Sequence, residues 1–290
     1  MNHIAIYSRS GPNAGYGHKV RCERLSNALR DRGADVVLIN HPEERTIEFS
    51  EKIIVDLLGT GKTKDLIIDL QENDDEFLRR LRPLAGKLIV IVGIGHTITK
   101  ETHWIADLVV YQAPFDCARG VPGENIVSGL EYIMIDPSYA VKEKVEKERD
   151  ALVYFGGGVS DEYADEVCTK LRECGIASHR AFWGNKLWVD CLKTDLYASR
   201  LFVGSMGMTA YEAIACGVRP IVVCRSLDHV VSADAIEEDC GAINMGLIDQ
   251  VSPIELATTV RFCVDEGATE IARAVDGLGV YRVAQRILEC

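Results

Sequence analysis

Two glycine-bearing turns and a pair of histidines carry most of the chemistry this chain could do. In Ser8–Arg9–Ser10–Gly11–Pro12–Asn13–Ala14–Gly15–Tyr16–Gly17–His18 an apolar strand gives way to a helix. Gly15 and Gly17 let backbone approach a ligand closely. The N–H groups and dipole of a helix start favour an anion there. The plainer alternative is a tight turn in which His18 is a polar helix-start residue. Two residues argue against a dinucleotide fingerprint: Val20 stands where a third small residue belongs, and Asn40, not an acid, ends the next strand.

The second turn is Gly204–Ser205–Met206–Gly207. A serine-nucleophile elbow would need glycine at Val203. Ser205, Gly207 and Thr209 instead offer hydroxyl and backbone donors to phosphate oxygens, and Glu212 follows three residues after Thr209. Thr209-x-x-Glu212 also has the form of a capping box. Gly59–Thr60–Gly61–Lys62–Thr63 resembles the end of a phosphate loop, but Asp56 occupies the place of its first glycine, so it reads as a surface turn. His96 and His103 lie seven apart with no third ligand, a weak metal signal. Phe182, Trp183 and Trp188 could stack on a base, although aromatics at such spacings also build cores.

These residues must be held by an alternation of short apolar strands and helices. Strands are expected at Ile4–Ser8, Val36–Asn40, Leu66–Asp69, Leu88–Val92 and Leu108–Tyr111, with a helix over Gly15–Arg32. A second series follows: strands at Leu152–Phe155, Leu201–Gly204 and Pro220–Val223, and helices at Asp161–Cys174, Thr209–Cys216, Ala233–Asp239, Ile254–Asp265 and Tyr281–Leu288. Strands separated by helices imply parallel sheets. Ile133–Asp150, with its charged run from Lys142, reads as a linker or an exposed crossing helix. The expected organisation is two α/β domains, residues 1–145 and 146–290, with the last helix able to cross back. Ligands in such folds bind at the carboxyl ends of the strands, here expected in the cleft between domains.

Composition narrows the class. At 290 residues with 47% hydrophobic and 26% charged residues, the chain is globular. No apolar run approaches a membrane span, and the N-terminus lacks the features of a signal peptide, so a cytoplasmic location is expected. The net charge is −12, split as −4 in residues 1–150 and −8 beyond, which argues against a general polyanion binder. The first 35 residues are the exception, with six Arg/Lys against three acids. That patch suits one phosphate group, or is a solvated helix face. None of the ten cysteines forms a C-x-x-C pair, so zinc and redox motifs are absent and reduced, mostly buried thiols are expected.

Six short segments, in order, resemble the PseG/SpsG group of nucleotide-sugar enzymes, which has the GT-B fold and is related to MurG-type glycosyltransferases. They are Ala14–Gly15–Tyr16–Gly17–His18 (G-[FY]-G-H), Leu66–Ile67–Ile68–Asp69 (L-I-I-D), Ser128–Gly129–Leu130–Glu131–Tyr132, and Phe155–Gly156–Gly157–Gly158–Val159–Ser160–Asp161 (G-G-x-D). The others are Ser205 to Glu212 running into Ala213–Gly217, and Asp276–Gly277–Leu278–Gly279–Val280–Tyr281–Arg282–Val283 (D-G-x-G-x-x-R-[VI]).

The resemblance implies a GT-B fold, two Rossmann-like parallel-sheet domains, and a UDP-sugar as substrate with no metal and no other cofactor. His18 would be the general base. Gly156, Gly157, Ser205, Gly207 and Met208 would line the diphosphate site with Thr209, and Glu212 would bind the ribose hydroxyls. Gly15, Tyr16 and Gly17 would face the sugar or acceptor, and His96 either joins them on that side or is a structural histidine behind them. The chain departs from the family at Ile91–Val92–Gly93–Ile94–Gly95–His96, where an Asp–Asp pair is expected after the strand. Transfer of the sugar to a hydroxyl acceptor is therefore favoured over hydrolysis to UDP and free sugar, or silent binding. The acceptor could be a small molecule, a glycan or a modified DNA base; the acidic charge counts against the last.

Overall fold

The computed structural model describes residues 2–11, 16–42, 47–59, 64–70, 75–94, 101–113, 125–143, 145–156, 159–181, 188–267, 269 and 271–290. The chain forms two compact units. Met1–Ile135 and Leu278–Cys290 make the first, and Asp136–Gly277 the second.

The first unit is built on a parallel sheet of β1 (His3–Ser10), β2 (Asp35–Pro42), β3 (Asp65–Asp69), β4 (Leu88–Val92), β5 (Leu108–Tyr111) and β6 (Ile126–Val127), in the order β2-β1-β3-β4-β5-β6. The strands of a sheet covered on both faces read as continuous apolar runs, and Leu88–Val92 is buried at every position. On one face Ile4, Ile6, Ile67, Ile89 and Val110 pack with Cys22, Leu25, Ala28 and Leu29 of α1 (Gly17–Arg30). Val280, Val283, Ala284 and Ile287 of α10 (Gly279–Glu289) join the same cluster. On the other face Ala5, Tyr7, Ile68 and Val90 pack with Ile54 and Leu58 of α2 (Ile47–Leu58) and Phe77, Leu78 and Leu81 of α3 (Asp75–Leu81). A short α4 (Thr102–Ile105) precedes β5.

The second unit is a parallel sheet of β7 (Arg149–Tyr154), β8 (Ser178–Arg180), β9 (Ser199–Ser205), β10 (Arg219–Cys224) and β11 (Ile243–Leu247), ordered β11-β10-β9-β7-β8. Ala151, Val153, Leu201, Val203, Ile221 and Val223 pack against α5 (Asp161–Glu173) and α9 (Pro253–Asp265). The helices α6 (Trp188–Tyr197), α7 (Met208–Cys216) and α8 (Leu227–Cys240) complete the unit. Ser160 caps α5 by accepting the Tyr163 N–H at 3.2 Å. Ser252 and Glu255 close a reciprocal capping box on α9, the arrangement that pairs two orphan donors at a helix start.

The chain between the units is not a crossing helix. Among the described residues of 133–150, one 3-10 turn at Pro137–Ala140 interrupts extended chain, and Arg149 and Asp150 of the charged run open β7. The return passage explains the D-G-x-G motif. Gly277 has φ +78°, and a Cβ there would sit 2.5 Å from the Ala140 nitrogen. A Cβ on Gly279 would sit 2.2 Å from the Ile133 carbonyl oxygen. Both glycines answer backbone packing. Among the described residues, no helix is long and apolar enough to cross a membrane.

Candidate active site

The apolar stripe of α1 turns polar toward the helix start. Leu25, Ala28 and Leu29 continue N-terminally as Cys22, Arg21 and His18, all buried. What that stripe meets is Asp69, the last residue of β3, fully buried at the carboxyl end of the sheet. His18 Nδ1 lies 2.7 Å from Asp69 Oδ1. Arg21 Nε donates to Asp69 Oδ2 at 2.6 Å, its Nη2 donates to Oδ1, and the Cys22 thiol donates to Oδ2 at 3.2 Å. One carboxylate thus takes four polar contacts from three residues on successive turns of one helix.

The electrostatics assign the protons. Burial alone would raise the Asp69 carboxyl, but Arg21 and then His18 outweigh it and hold the group far below the usual carboxylate range. An ionised Asp69 accepts from His18 Nδ1–H, the tautomer that leaves the lone pair on Nε2. Burial, and after it the Arg21 charge, push His18 below its ordinary value, against the opposing pull of Asp69. The imidazole is therefore neutral at neutral pH. Burial and the Asp69 charge push the Cys22 thiol well up, so it stays protonated as a donor.

Nearby on the same sheet edge, Ser8 of β1 donates to Asn40 of β2 at 3.0 Å, and the Asn40 amide donates to Ser10 at 3.0 Å. Asn40 is thereby tied to strand-end hydroxyls. Tyr16 precedes α1 as its N-cap and is 40% exposed, and Gly17 is the first helical residue. Gly15, His96 and Gly157 lie outside the described residues, as do Phe182, Trp183 and residues 60–63 of the Gly59–Thr63 turn. His103 is buried with Nε2 3.1 Å from the Tyr111 hydroxyl, a core role. Among the described residues no cluster could hold a metal ion, and the described cysteines are free.

In the second unit, β7 and β9 run side by side with Tyr154 opposite Gly204. Their carboxyl ends bring Gly156 and Ser205 together. Gly156 has φ +69°, which favours glycine, and a Cβ there would lie 3.8 Å from Ser205 Oγ. The Ser205 hydroxyl donates to the Phe155 carbonyl. Gly207, Met208 and Thr209 follow as the N-cap and first two residues of α7, each half-buried. The first N–H groups of a helix lack intrahelical partners, so this turn is suited to an anion. Glu212 is buried one turn into α7. Its charge, after burial, raises the Tyr154 phenol, which places the two side chains close together. The capping-box alternative fails: α7 begins at Met208, so Thr209 is inside the helix.

Residue reading alone missed Arg21, although Asp69 stood in a quoted strand motif. It also missed the turn after β10. Met206 N–H donates to the Val223 carbonyl at 2.9 Å, so this turn adjoins the Ser205 turn. There Ser226 Oγ lies 2.8 Å from His229 Nδ1, and burial, then Arg225, lowers His229 to about 4. The available signal was the strand-end rule applied to Pro220–Val223.

No protein-family model matches the chain, and no curated protein matches it in sequence. Its fold matches solved structures over nearly its whole length. MurG from Acinetobacter baumannii matches with a TM-score of 0.66 at 10% identity, covering 99% of this chain and 100% of that one. UDP-GlcNAc 2-epimerase from Methanocaldococcus jannaschii, in complex with UDP-GlcNAc and UDP, matches at 0.62 and 11% identity, covering 99% and 100%. A Ugt transferase from Siraitia grosvenorii, in complex with UDP, matches at 0.56 and 10% identity, covering 98% and 100%. At these identities the likeness shows the fold, and that fold is GT-B.

Proposed function

We propose that the protein is a GT-B glycosyltransferase that breaks the glycosyl–diphosphate bond of a UDP-sugar and transfers the sugar to a hydroxyl acceptor. The observation that carries this reading is the buried Asp69–His18 contact, with Arg21 balancing the aspartate. A base for an acceptor hydroxyl needs a neutral imidazole with one nitrogen engaged and the other carrying its lone pair. Asp69 would fix the tautomer. Arg21 would keep Asp69 from raising the imidazole so far that it arrives already protonated. His18 Nε2 would take the acceptor proton as its oxygen attacks the anomeric carbon.

The leaving diphosphate gathers negative charge as the bond breaks. Backbone N–H groups at the start of α7 would stabilise it, joined by the Ser205 hydroxyl once it turns from the Phe155 carbonyl to a phosphate oxygen, with Gly156 leaving room for the phosphates. No metal is needed for that step. Glu212 would accept the ribose hydroxyls. That solved structures of this fold carry UDP or UDP-GlcNAc supports the choice of nucleotide. Tyr16 and Gly17, with Gly15 and His96, would face the sugar or acceptor. The acceptor class stays as the sequence implies it, a small molecule or glycan before a modified DNA base.

The test is release of UDP from a panel of UDP-sugars, with and without hydroxyl acceptors, followed by product analysis. Acceptor-dependent UDP with a glycosylated product supports transfer. UDP and free sugar regardless of acceptor would make the protein a hydrolase. Saturable UDP-sugar binding without any release would make it a binding protein.

A further inference from the structure

Tyr154, the last residue of β7, stands among the groups proposed to hold the donor, and it is half-buried. Ala151, Val153 and Phe155 pack with α5 and α9, so the alternation of a strand turns Tyr154 to the opposite face. Its partner in the β7–β9 register is Gly204, which places no side chain beside the ring. A Cβ on Gly156 would lie 3.8 Å and 3.9 Å from Cε1 and Cζ of Tyr154, and 3.8 Å from Ser205 Oγ. The hydroxyl-bearing end of the ring and the Ser205 hydroxyl therefore both stand beside Gly156.

Glu212 lies near this ring on α7. Burial, and after it the Glu212 charge, raise the Tyr154 phenol. The group is therefore a neutral O–H donor at neutral pH and does not add a further anion to the site. That matters where a diphosphate must approach a carboxylate. Like charges repel, and a neutral donor beside them binds a phosphate oxygen without a countercharge of its own. Tyr154 has partners within the protein. A phenol O–H nevertheless turns about its C–O bond to suit its acceptor, and a charged phosphate oxygen makes a stronger bond than a neutral acceptor.

We propose that Tyr154 is a further donor-binding residue, its hydroxyl donating to the diphosphate of the UDP-sugar, an assignment that rests on the nucleotide site proposed for this turn. Ser205 and Tyr154 then supply two hydroxyl donors from neighbouring strand ends, and Gly156 keeps the space next to both open. Glu212 is left to the ribose.

The test is calorimetric titration of the full chain and of Tyr154→Phe with UDP, and with uridine by displacement of UDP. Tyr154→Phe keeps the ring and removes only the hydroxyl. It should weaken UDP about tenfold to a hundredfold, the worth of one hydrogen bond to a charged group, and leave uridine affinity unchanged. A merely structural role would weaken both ligands alike. If Tyr154→Phe does not fold, 3-fluorotyrosine placed at 154 keeps the side chain nearly intact, and its fluorine resonance should shift saturably with UDP. Parental UDP affinity in folded Tyr154→Phe, an equal loss for UDP and uridine, or a fluorine resonance unmoved by UDP overturns the assignment while the nucleotide site stands. Failure of the parent chain to bind UDP overturns the nucleotide site and this assignment together.

Discussion

Asp69 Oδ1 lies 2.7 Å from His18 Nδ1, with the Asp69 side chain fully buried and that of His18 5% exposed. The aspartate ends a strand, the histidine opens a helix, and 51 residues separate them. A buried carboxylate is tolerated there because Arg21 neutralises it from the next turn of the same helix. The pair therefore orients an imidazole without charging it, and the proposed chemistry rests on that.

Replacing His18 by Asn should leave the fold and UDP affinity near those of the parent while turnover falls about 10²–10⁴-fold, the usual contribution of a general base. Circular dichroism, UDP calorimetry and UDP-release rates check the three parts. A stable variant with parental turnover would remove His18 from the mechanism.

Asp69→Asn should act on stability and on the imidazole together. It strands Arg21 in the interior, so urea unfolding should show a loss of about 3–5 kcal/mol. It also removes the influence that raises His18. The acid limb of the kcat/KM profile should then move to lower pH, a shift that a purely structural role would not produce.

Acidification should destabilise the protein in two windows. His229 has a folded value of about 4 against an ordinary 6.5, so the unfolded chain binds its proton first. Stability should fall as pH drops from 6.5 toward 4, and His18, also lowered, works in the same direction. Asp69 is depressed, so its contribution is complete above the ordinary value of 3.8 and is lost as pH falls further toward its folded value. Melting temperatures across pH 7 to 3 should show the first descent, bounded by ~6.5 and ~4, and the onset of the second. His229→Gln should flatten that first descent.

Glu212→Ala should weaken UDP binding by about 1–3 kcal/mol, the scale of a hydrogen bond to a charged group. Thr209→Ala should cost less than about 0.5 kcal/mol of stability, because Thr209 lies inside α7 and caps nothing. A Thr209→Ala loss of about 1 kcal/mol or more would restore the capping reading. Unchanged UDP affinity in folded Glu212→Ala would remove Glu212 from the nucleotide site.

Gly279→Ala should loosen the docking of α10. The new Cβ would overlap the Ile133 carbonyl, and relief needs a backbone shift costing about 1–3 kcal/mol. Hydrogen exchange should show faster opening of α10 with β7 to β11 unaffected.

Local order was legible wherever a segment's own pattern decides it. Leu88–Val92 and Leu108–Tyr111 are apolar throughout because both faces of their sheet are covered, and they end where the residues say. The α1 stripe and the α7 turn are likewise written in spacing and glycine placement. Ser178–Arg180 was not legible as a strand: it is a three-residue edge with no apolar alternation, and its pairing with β7 defines it. Only the tertiary structure chose the partner of His18. Residue spacing gave His18 and Asp69 no reason to meet, because β3 must pair beside β1 before its last side chain reaches the start of α1. Periodicity reports which face a residue buries; what it meets there depends on contacts far along the chain.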